Sequence, residues 1–402
     1  MLVVRYVPAM IPSPRIREQE IALFGESGSG KTVLASSFYG FSQEKASSND
    51  LWDMVADDVG QGTRLYRNYL GMRDHATAPP TTRFAGVTYY FSVKLKGGGG
   101  AKAKKRPFDI LRLAWHDYPG DWFTESPSSE EEANRRVDMF RSLLGSDVAF
   151  LLVDGQKLLD YKDEEERYLK SLFTNFRQGL LRLREDLLAG EDRLVEFPRI
   201  WIIALSKADL FPDWDVHSFR DLVIWNAAEH IKDLRETLQD LVVTPEALSL
   251  GEDFMRLSSA KFELSSAGRE PVKIDVSKRF GVDLILPVAS LLPLERLVQW
   301  GEKMEIPRQV LDTVADNADT LAAVLIRAKP VLYKLVAKLP KVGPVVRVAY
   351  PALIAFVKMS VQEIRKINER ARENHDYLTA TLTQFRLDLD QGEADGLLIR
   401  GK

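Results

Sequence analysis

The sequence predicts an α/β fold: a mainly parallel sheet with helices on both faces, followed by a C-terminal helical region. Three observations carry this reading. Short apolar runs suited to buried strands alternate with segments of 3.6-residue periodicity. The first such run passes through a glycine-rich string straight into a helical pattern. From about residue 302 onward only helical periodicity is left, which places a boundary near residue 300 and divides the chain into 1–300 and 301–402.

Each element has its own local signal. Residues 19–24 (QEIALF) form a strand that ends in a glycine-rich turn, and residues 31–39 resume with helix formers and aromatics. Residues 84–96 and 108–115 are rich in aromatic and branched side chains and flank GGGGAKAKK, so they are expected as adjacent antiparallel strands. Ser129 with Glu132 fits a capping box and starts a helix over 130–144, which is followed by a buried strand at 148–153. Leu169, Leu172, Phe173, Phe176, Leu180, Leu183 and Leu187 step by three and four along an amphipathic helix. A strand at 200–205 (IWIIAL), a long helix within 217–241 and a strand near 260–264 complete the sheet domain.

Composition narrows the function. The 402 residues are 45% hydrophobic and 28% charged, ordinary usage for a folded globular chain. A formal charge of −3 gives no bulk attraction to nucleic acid, so no specific nucleic-acid partner is expected. The absence of cysteine excludes disulfides, iron–sulfur clusters, thiolate zinc sites and cysteine nucleophiles, and five histidines argue against a histidine-rich metal centre. The start of the chain lacks a long apolar h-region. Residues 348–357, ten uncharged residues interrupted by Pro351, fall short of the ~20 that span a bilayer. A cytoplasmic protein is expected.

Residues 25–32 read GESGSGKT and match G-x-x-x-x-G-K-[ST] between an expected strand and an expected helix, the context of a P-loop. Gly25, Gly28 and Gly30 let the backbone of this loop, with Ser27 and Ser29, wrap closely around phosphates. The N–H groups at the helix start favour anions. Lys31 reaches the β and γ oxygens and the Thr32 hydroxyl binds Mg²⁺. The loop alone suits an ATPase as well as a GTPase. An ABC-type ATPase would also carry an LSGGQ-like string and a glutamate after its second aspartate. The nearest string, LSSAG at 264–268, lacks the second pair of residues, and Asp154 is followed by Gly155.

Three further strings follow the expected strands in order. Asp117-Tyr118-Pro119-Gly120 gives D-x-P-G at a strand end, Ser206-Lys207-Ala208-Asp209 gives SKAD, and a serine–alanine pair comes next. For that pair two candidates exist, Ser259-Ala260-Lys261 and Ser265-Ser266-Ala267. The second is favoured because a strand ending at Leu264 is easier to read than one squeezed into 254–257. Ahead of the expected strand at 84–96, Thr81 and Thr82 sit in PPTTRF.

The ordered set resembles the TRAFAC-class P-loop GTPases over about residues 18–300. The strings HDYPGDW, FLLVDG and IIALSKAD are similar to segments of the bacterial YcjX-like stress-protein GTPases. The resemblance implies GTP and GDP as ligands with Mg²⁺. It implies that Asp117 holds the metal through water and that the Gly120 N–H contacts the γ-phosphate. Thr82, or Thr81, would serve the metal and γ-phosphate in the first switch. It also implies that Asp209 accepts from guanine N1–H and N2–H while the Lys207 stem packs along the base beside Ser206, with Ser266 and Ala267 closing the base site. Serine at 206 departs from the usual Asn or Thr. The intervals from Lys31 to Asp117 and from Asp117 to Lys207 are 86 and 90 residues, longer than a minimal domain of this kind, which implies insertions.

Where a Ras-like chain carries a water-orienting glutamine, this one has Asp121, followed by Trp122. His116 is the substitute candidate. The expectation is a slow GTPase acting as a switch or assembly protein, completed by a protein partner, a homodimer mate or an arginine from the insertions. The alternatives are an ATPase using the same loop and a non-hydrolysing nucleotide-binding scaffold. Residues 321–362 contain no acid but seven bases: Arg327, Lys329, Lys334, Lys338, Lys341, Arg347 and Lys358. Together with the apolar face of Leu332, Leu335, Val336 and Leu339, this suits a packed helical subdomain or a peripheral contact with an anionic membrane.

Overall fold

The computed structural model describes residues 15–44, 50–80, 86–97, 108–123, 127–188, 193–194, 200–242, 245, 248–264, 271–303 and 354–401. Thr81, Thr82, the string 265–267, the basic stretch 102–106 and every base of 321–362 except Lys358 lie outside these residues.

The sheet is laid down by β1 (Ile16–Phe24), β2 (Trp52–Ala56), β3 (Val87–Leu95), β4 (Ile110–Asp117), β5 (Val148–Asp154), β6 (Ile200–Ser206), β7 (Asp253–Arg256) and a C-terminal β10 (Leu398–Ile399). Their order is β10-β7-β6-β5-β1-β4-β3-β2. The five central strands from β4 to β7 are parallel, whereas β3 runs against β4, β2 against β3 and β10 against β7. The fold is thus α/β on a mostly parallel sheet. Every residue of β5 and of β6 is buried, as strands covered on both faces must be.

Side chains alternate between two cores because the strand period is two. On β1, Ile21 and Leu23 enter one cluster with α1 (Lys31–Ser42), while Ala22 and Phe24 enter the other with α3 (Glu130–Leu144), α5 (Glu165–Leu188) and α6 (Val216–Leu241). Phe24 stacks on Trp201 at 5.4 Å between ring centres, which fixes β1 against β6 across β5. The remaining helices of the sheet region are α2 (Val59–His75) and the short α4 (Gly155–Asp160).

Most expected elements appear within a residue or two of their expected places, including the antiparallel pair β3 and β4. The capping box at α3 is half present. Ser129 accepts from the Glu132 N–H at 3.2 Å, but the Glu132 carboxylate reaches the Ser128 N–H at 2.9 Å and Arg136 Nε at 3.0 Å. The expectation for the last central strand is overturned. Asp253–Arg256 pairs with β6, whereas β8 (Lys261–Leu264) pairs with β9 (Pro271–Asp275) in a separate two-stranded sheet.

Beyond residue 284 the chain returns to the sheet. From α7 (Ile285–Lys303), α8 (Val361–Glu373) and α9 (Tyr377–Ala394), the side chains of Leu291, Ile364, Leu382, Phe385 and Leu389 join the cluster that holds Leu23 and Ile202. Buried ion pairs tie down the end of the chain. Arg400 meets Glu295 at 3.0 Å and Asp390 at 2.8 Å, and Arg296 meets Asp253 at 2.6 Å. No helix among the described residues is long and apolar enough to cross a membrane.

Candidate functional site

In an open parallel sheet, the carboxyl ends of strands whose connections leave in opposite directions form a crevice. Here that point lies beside β1, flanked by β4 and β5, and residues 25–30 leave it. Gly28 and Gly30 have φ of 81° and 91°, a left-handed backbone that side chains disfavour. At Gly25 the constraint is space, because a Cβ there would stand 2.6 Å from Ser29 Oγ and 3.0 Å from Leu152 Cβ. The loop then opens α1, whose first turn carries no acidic residue, so the partial positive charge of the helix end is left for an anion.

Lys31 is buried with its Nζ donating to Gly25 O at 2.8 Å and Glu26 O at 3.1 Å. Burial pulls its pKa below the ordinary lysine value, while Asp117, Asp121, Glu26 and Asp154 favour the charged form. One residue on, Thr32 Oγ1 donates to Asp117 Oδ2 at 3.1 Å. Tyr118 is fully buried and its hydroxyl oxygen accepts from the Gly25 N–H at 2.6 Å, with Lys31 Nζ 5.1 Å above its ring. Gly120 rests on the loop backbone: a Cβ there would fall 2.0 Å from Ser27 N and 2.3 Å from the Glu26 carbonyl carbon. Asp121 and Trp122 follow in a single 3-10 turn, Gly120–Phe123, held by Arg136 Nη1 on Trp122 O at 3.2 Å.

The second half of the site is built at the ends of β5, β6 and β7. Lys207 adopts φ 53° and its Nζ meets Asp154 Oδ2 at 2.8 Å, while Asp154 Oδ1 caps α4 through the Gln156 N–H at 2.9 Å. Gly155 is required here, since a Cβ would stand 2.7 Å from Ser206 O. Ser206 Oγ donates back to Val153 O at 3.2 Å. Asp209, in the 3-10 turn Ala208–Leu210, accepts from Ser258 Oγ at 2.8 Å. Burial raises the pKa of Asp209, and the hydrogen bond from Ser258 opposes that shift.

Both halves open onto one cavity of about 380 Å³. Of the residues expected from the sequence, Ser27, Gly28, Ser29, Gly30, Lys31, Thr32, Gly120, Ser206, Lys207 and Asp209 line it. Asp117 is fully buried and joins the site through Thr32. No protein-family model matches the chain, and no curated protein matches it.

His116 is not placed to orient water in this cavity. Its ring lies between Thr88 Oγ1 at 3.0 Å and Glu20 Oε2 at 3.4 Å, buried on the sheet. The favoured serine–alanine string, with Ser266 and Ala267, falls outside the described residues. It follows β8, not the central strand, and the serine–alanine pair after β7 that lines the cavity is Ser259 and Ala260. Sequence reasoning passed over Ser258 as the partner of Asp209, Tyr118 as the support of Gly25, and Phe262 and Pro271 as apolar wall. Ser258 stands one residue ahead of the other serine–alanine candidate, so its signal was within reach.

The donor set suits a hard cation held partly by its ligand. No group of three or more acidic, histidine or cysteine side chains suited to a metal exists among the described residues. Thr32 and Asp117 supply two hard oxygens, and Mg²⁺ is commonly bound by one or two protein groups plus phosphate and water.

Proposed function

We propose that the chain binds guanine nucleotide with Mg²⁺ and hydrolyses GTP slowly, as a nucleotide-dependent switch or assembly protein. The observation that carries this is the convergence of the Gly25-to-Thr32 loop, Asp117 and the Lys207/Asp209 turn on one cavity. The order β4-β1-β5-β6-β7, with β3 antiparallel to β4, supports a P-loop NTPase arrangement for the sheet.

In this reading the loop N–H groups and Lys31 hold the phosphates, and Thr32 with Asp117 holds the metal. Mg²⁺ supplies neutralisation of charge on the β- and γ-oxygens. Asp209 selects the base, because its carboxylate accepts from the N1–H and N2–H of guanine, which adenine lacks. Lys207, tethered by Asp154, lays its methylene stem along the ring. Tyr118 and Gly120 fix the spacing between the loop and the segment after β4. Slow turnover follows from the water-orienting position, where Asp121 offers a carboxylate that a γ-phosphate repels. A protein partner or second copy would then complete the site.

Isolation of the purified chain with its bound nucleotide, followed by identification of that nucleotide and comparison of GTP and ATP affinity, tests the reading. Tighter ATP than GTP binding would favour the ATPase alternative. GTP binding without turnover would leave a non-hydrolysing scaffold. The seven bases of 321–362 support a peripheral contact with anionic membrane, and loss of vesicle binding with rising salt is its test.

A further inference from the structure

The turn that carries Asp209 is gripped from behind by one arginine. Arg256, the last residue of β7, is buried, and its Nη2 donates to Phe211 O at 2.9 Å and to Ala208 O at 3.4 Å. These carbonyls bracket Asp209, and the guanidinium lies 5.2 Å above the ring of Phe280. The backbone beside it closes the same turn, with Ala208 N–H on Leu257 O at 3.1 Å.

Arg256 is itself held by the end of the chain. Its N–H donates to Leu397 O at 2.9 Å, where β10 begins its antiparallel pairing with β7. The neighbouring Gly396 O accepts from Val216 N–H at 2.8 Å, so the residue next to Leu397 holds the start of α6, downstream of the turn. Gly401 N–H reaches Asp253 Oδ1 at 2.9 Å, and Arg400 is locked into the acids Glu295 and Asp390. Residues 396–401 therefore bind both flanks of the base-selecting turn while contributing nothing to the cavity wall.

We infer that Arg256 is the positioning residue of the base-recognition turn and that the docked C-terminal strand keeps it in place, so nucleotide residence depends on the docking of residues 396–401. The inference rests on the guanine-nucleotide reading above. Physically, a planar guanidinium that bridges the first carbonyl of a three-residue turn and the carbonyl just after it removes freedom the turn would otherwise have. Peeling away β10 would free the Arg256 backbone and the α6 start together. The phosphate loop shares none of these contacts.

The test uses the full chain, fluorescently labelled GDP and inorganic tripolyphosphate. Arg256→Met should raise the GDP dissociation rate by about tenfold, the change carried by loss of one hydrogen bond from a charged donor. Tripolyphosphate affinity should stay at the wild-type value, and Arg256→Lys should recover part of the GDP residence time. Arg400→Gln, remote from the ligand, should also speed GDP release. Thermal unfolding of each variant confirms that it is folded. Release from Arg256→Met within about twofold of wild type would overturn the inference, as would equal losses of GDP and tripolyphosphate affinity, which mark general damage. An unchanged rate for Arg400→Gln would remove the role of the C-terminal strand. Wild-type protein that binds no labelled GDP overturns the nucleotide reading itself, whereas wild-type binding with unaltered Arg256→Met overturns only this inference.

Discussion

Thr32 and Asp117, 85 residues apart in the chain, meet at 3.1 Å through a hydrogen bond from the threonine hydroxyl to the aspartate carboxylate. The bond joins the start of α1 to the end of β4: β1, which leads into α1, pairs in parallel with β4, so both chain segments emerge at the same end of the sheet. A cation that recruits either oxygen must perturb the other, which makes this pair the natural place to read metal and phosphate together.

Thr32→Ala and Lys31→Ala should therefore abolish stabilisation by Mg²⁺ and triphosphate. Ligand at ~100 times its dissociation constant adds about 2.7 kcal/mol to the wild type, a gain both variants should lose. Thr32→Ser, which keeps the hydroxyl, should keep most of it. Denaturant unfolding with and without nucleotide measures this. Equal stabilisation of wild type and Lys31→Ala would remove the phosphate-site assignment.

Gly120→Ala should be among the most damaging single methyl additions in the chain. A Cβ would overlap Ser27 N at 2.0 Å, and backbone on both sides leaves little room to yield. A cost of about 1–3 kcal/mol is expected from overpacking, with a larger loss in nucleotide affinity because the displaced loop is the proposed phosphate cradle. Gly145→Ala, where the nearest neighbour of an added Cβ is Arg141 O at 3.3 Å, is the control. Similar stability and affinity in the two variants would show that the Gly120 contact is unimportant.

The residues that could be read from sequence were those whose chemistry leaves a local signature. The loop at 25–32, the periodic apolar face of α5 and the apolar runs 148–153 and 200–205 that make up most of β5 and β6 are of this kind. β7 was hidden because Asp253 and Arg256 bracket a four-residue strand, and both charges are buried only through partners far along the chain, Arg296 and the carbonyls of Ala208 and Phe211. Placing the last strand seven to eight residues late, near 260–264 against Asp253–Arg256, then moves the serine–alanine choice away from Ser258 and Ser259. α2 shows its spacing in Gly62, Leu65, Tyr69 and Met72, but two of its four inward positions are glycine and tyrosine, which weaken an apolar count. β10, two residues long, has no periodicity to detect and is created by its pairing with β7.

Tyr118→Phe isolates a single hydroxyl. Gly25 N–H would lose its acceptor at 2.6 Å inside a fully buried setting, and an unsatisfied buried donor costs about 1–3 kcal/mol. Burial holds the phenol well above its ordinary pKa, so this bond should not change with pH through the neutral range. The variant should unfold at lower denaturant at every pH from mildly acid to mildly alkaline by the same margin. A margin that widens as pH rises through this range would mean that the phenol ionises more readily in the folded chain than in the unfolded one, and that the burial argument is wrong.

Asp209→Asn separates base choice from stability. Its carboxylate should be the acceptor for guanine, so the variant should lose GTP affinity and gain affinity for xanthosine triphosphate, whose base presents a carbonyl where guanine has an amine. In the ligand-free protein the effect should run the other way. Burial raises the pKa of Asp209 above the ordinary aspartate value, with Ser258 only partly opposing, so the fold favours the protonated form. That contribution is complete in acid, below the unfolded aspartate pKa, and is lost as pH rises through the raised folded value. At neutral pH the wild type thus carries a buried charge that asparagine lacks, while Asn Oδ1 can still accept from Ser258. Ligand-free Asp209→Asn should be at least as stable as wild type at neutral pH, with the difference shrinking on acidification. Guanine binding by the wild type should weaken over the same acid window as the acceptor is protonated. Urea unfolding and GTP titrations at neutral and mildly acid pH measure both arms. A variant that binds GTP as tightly as wild type would reduce Asp209 to a turn residue, and one whose stability difference from wild type is constant with pH would show that burial of the carboxylate carries no titratable cost.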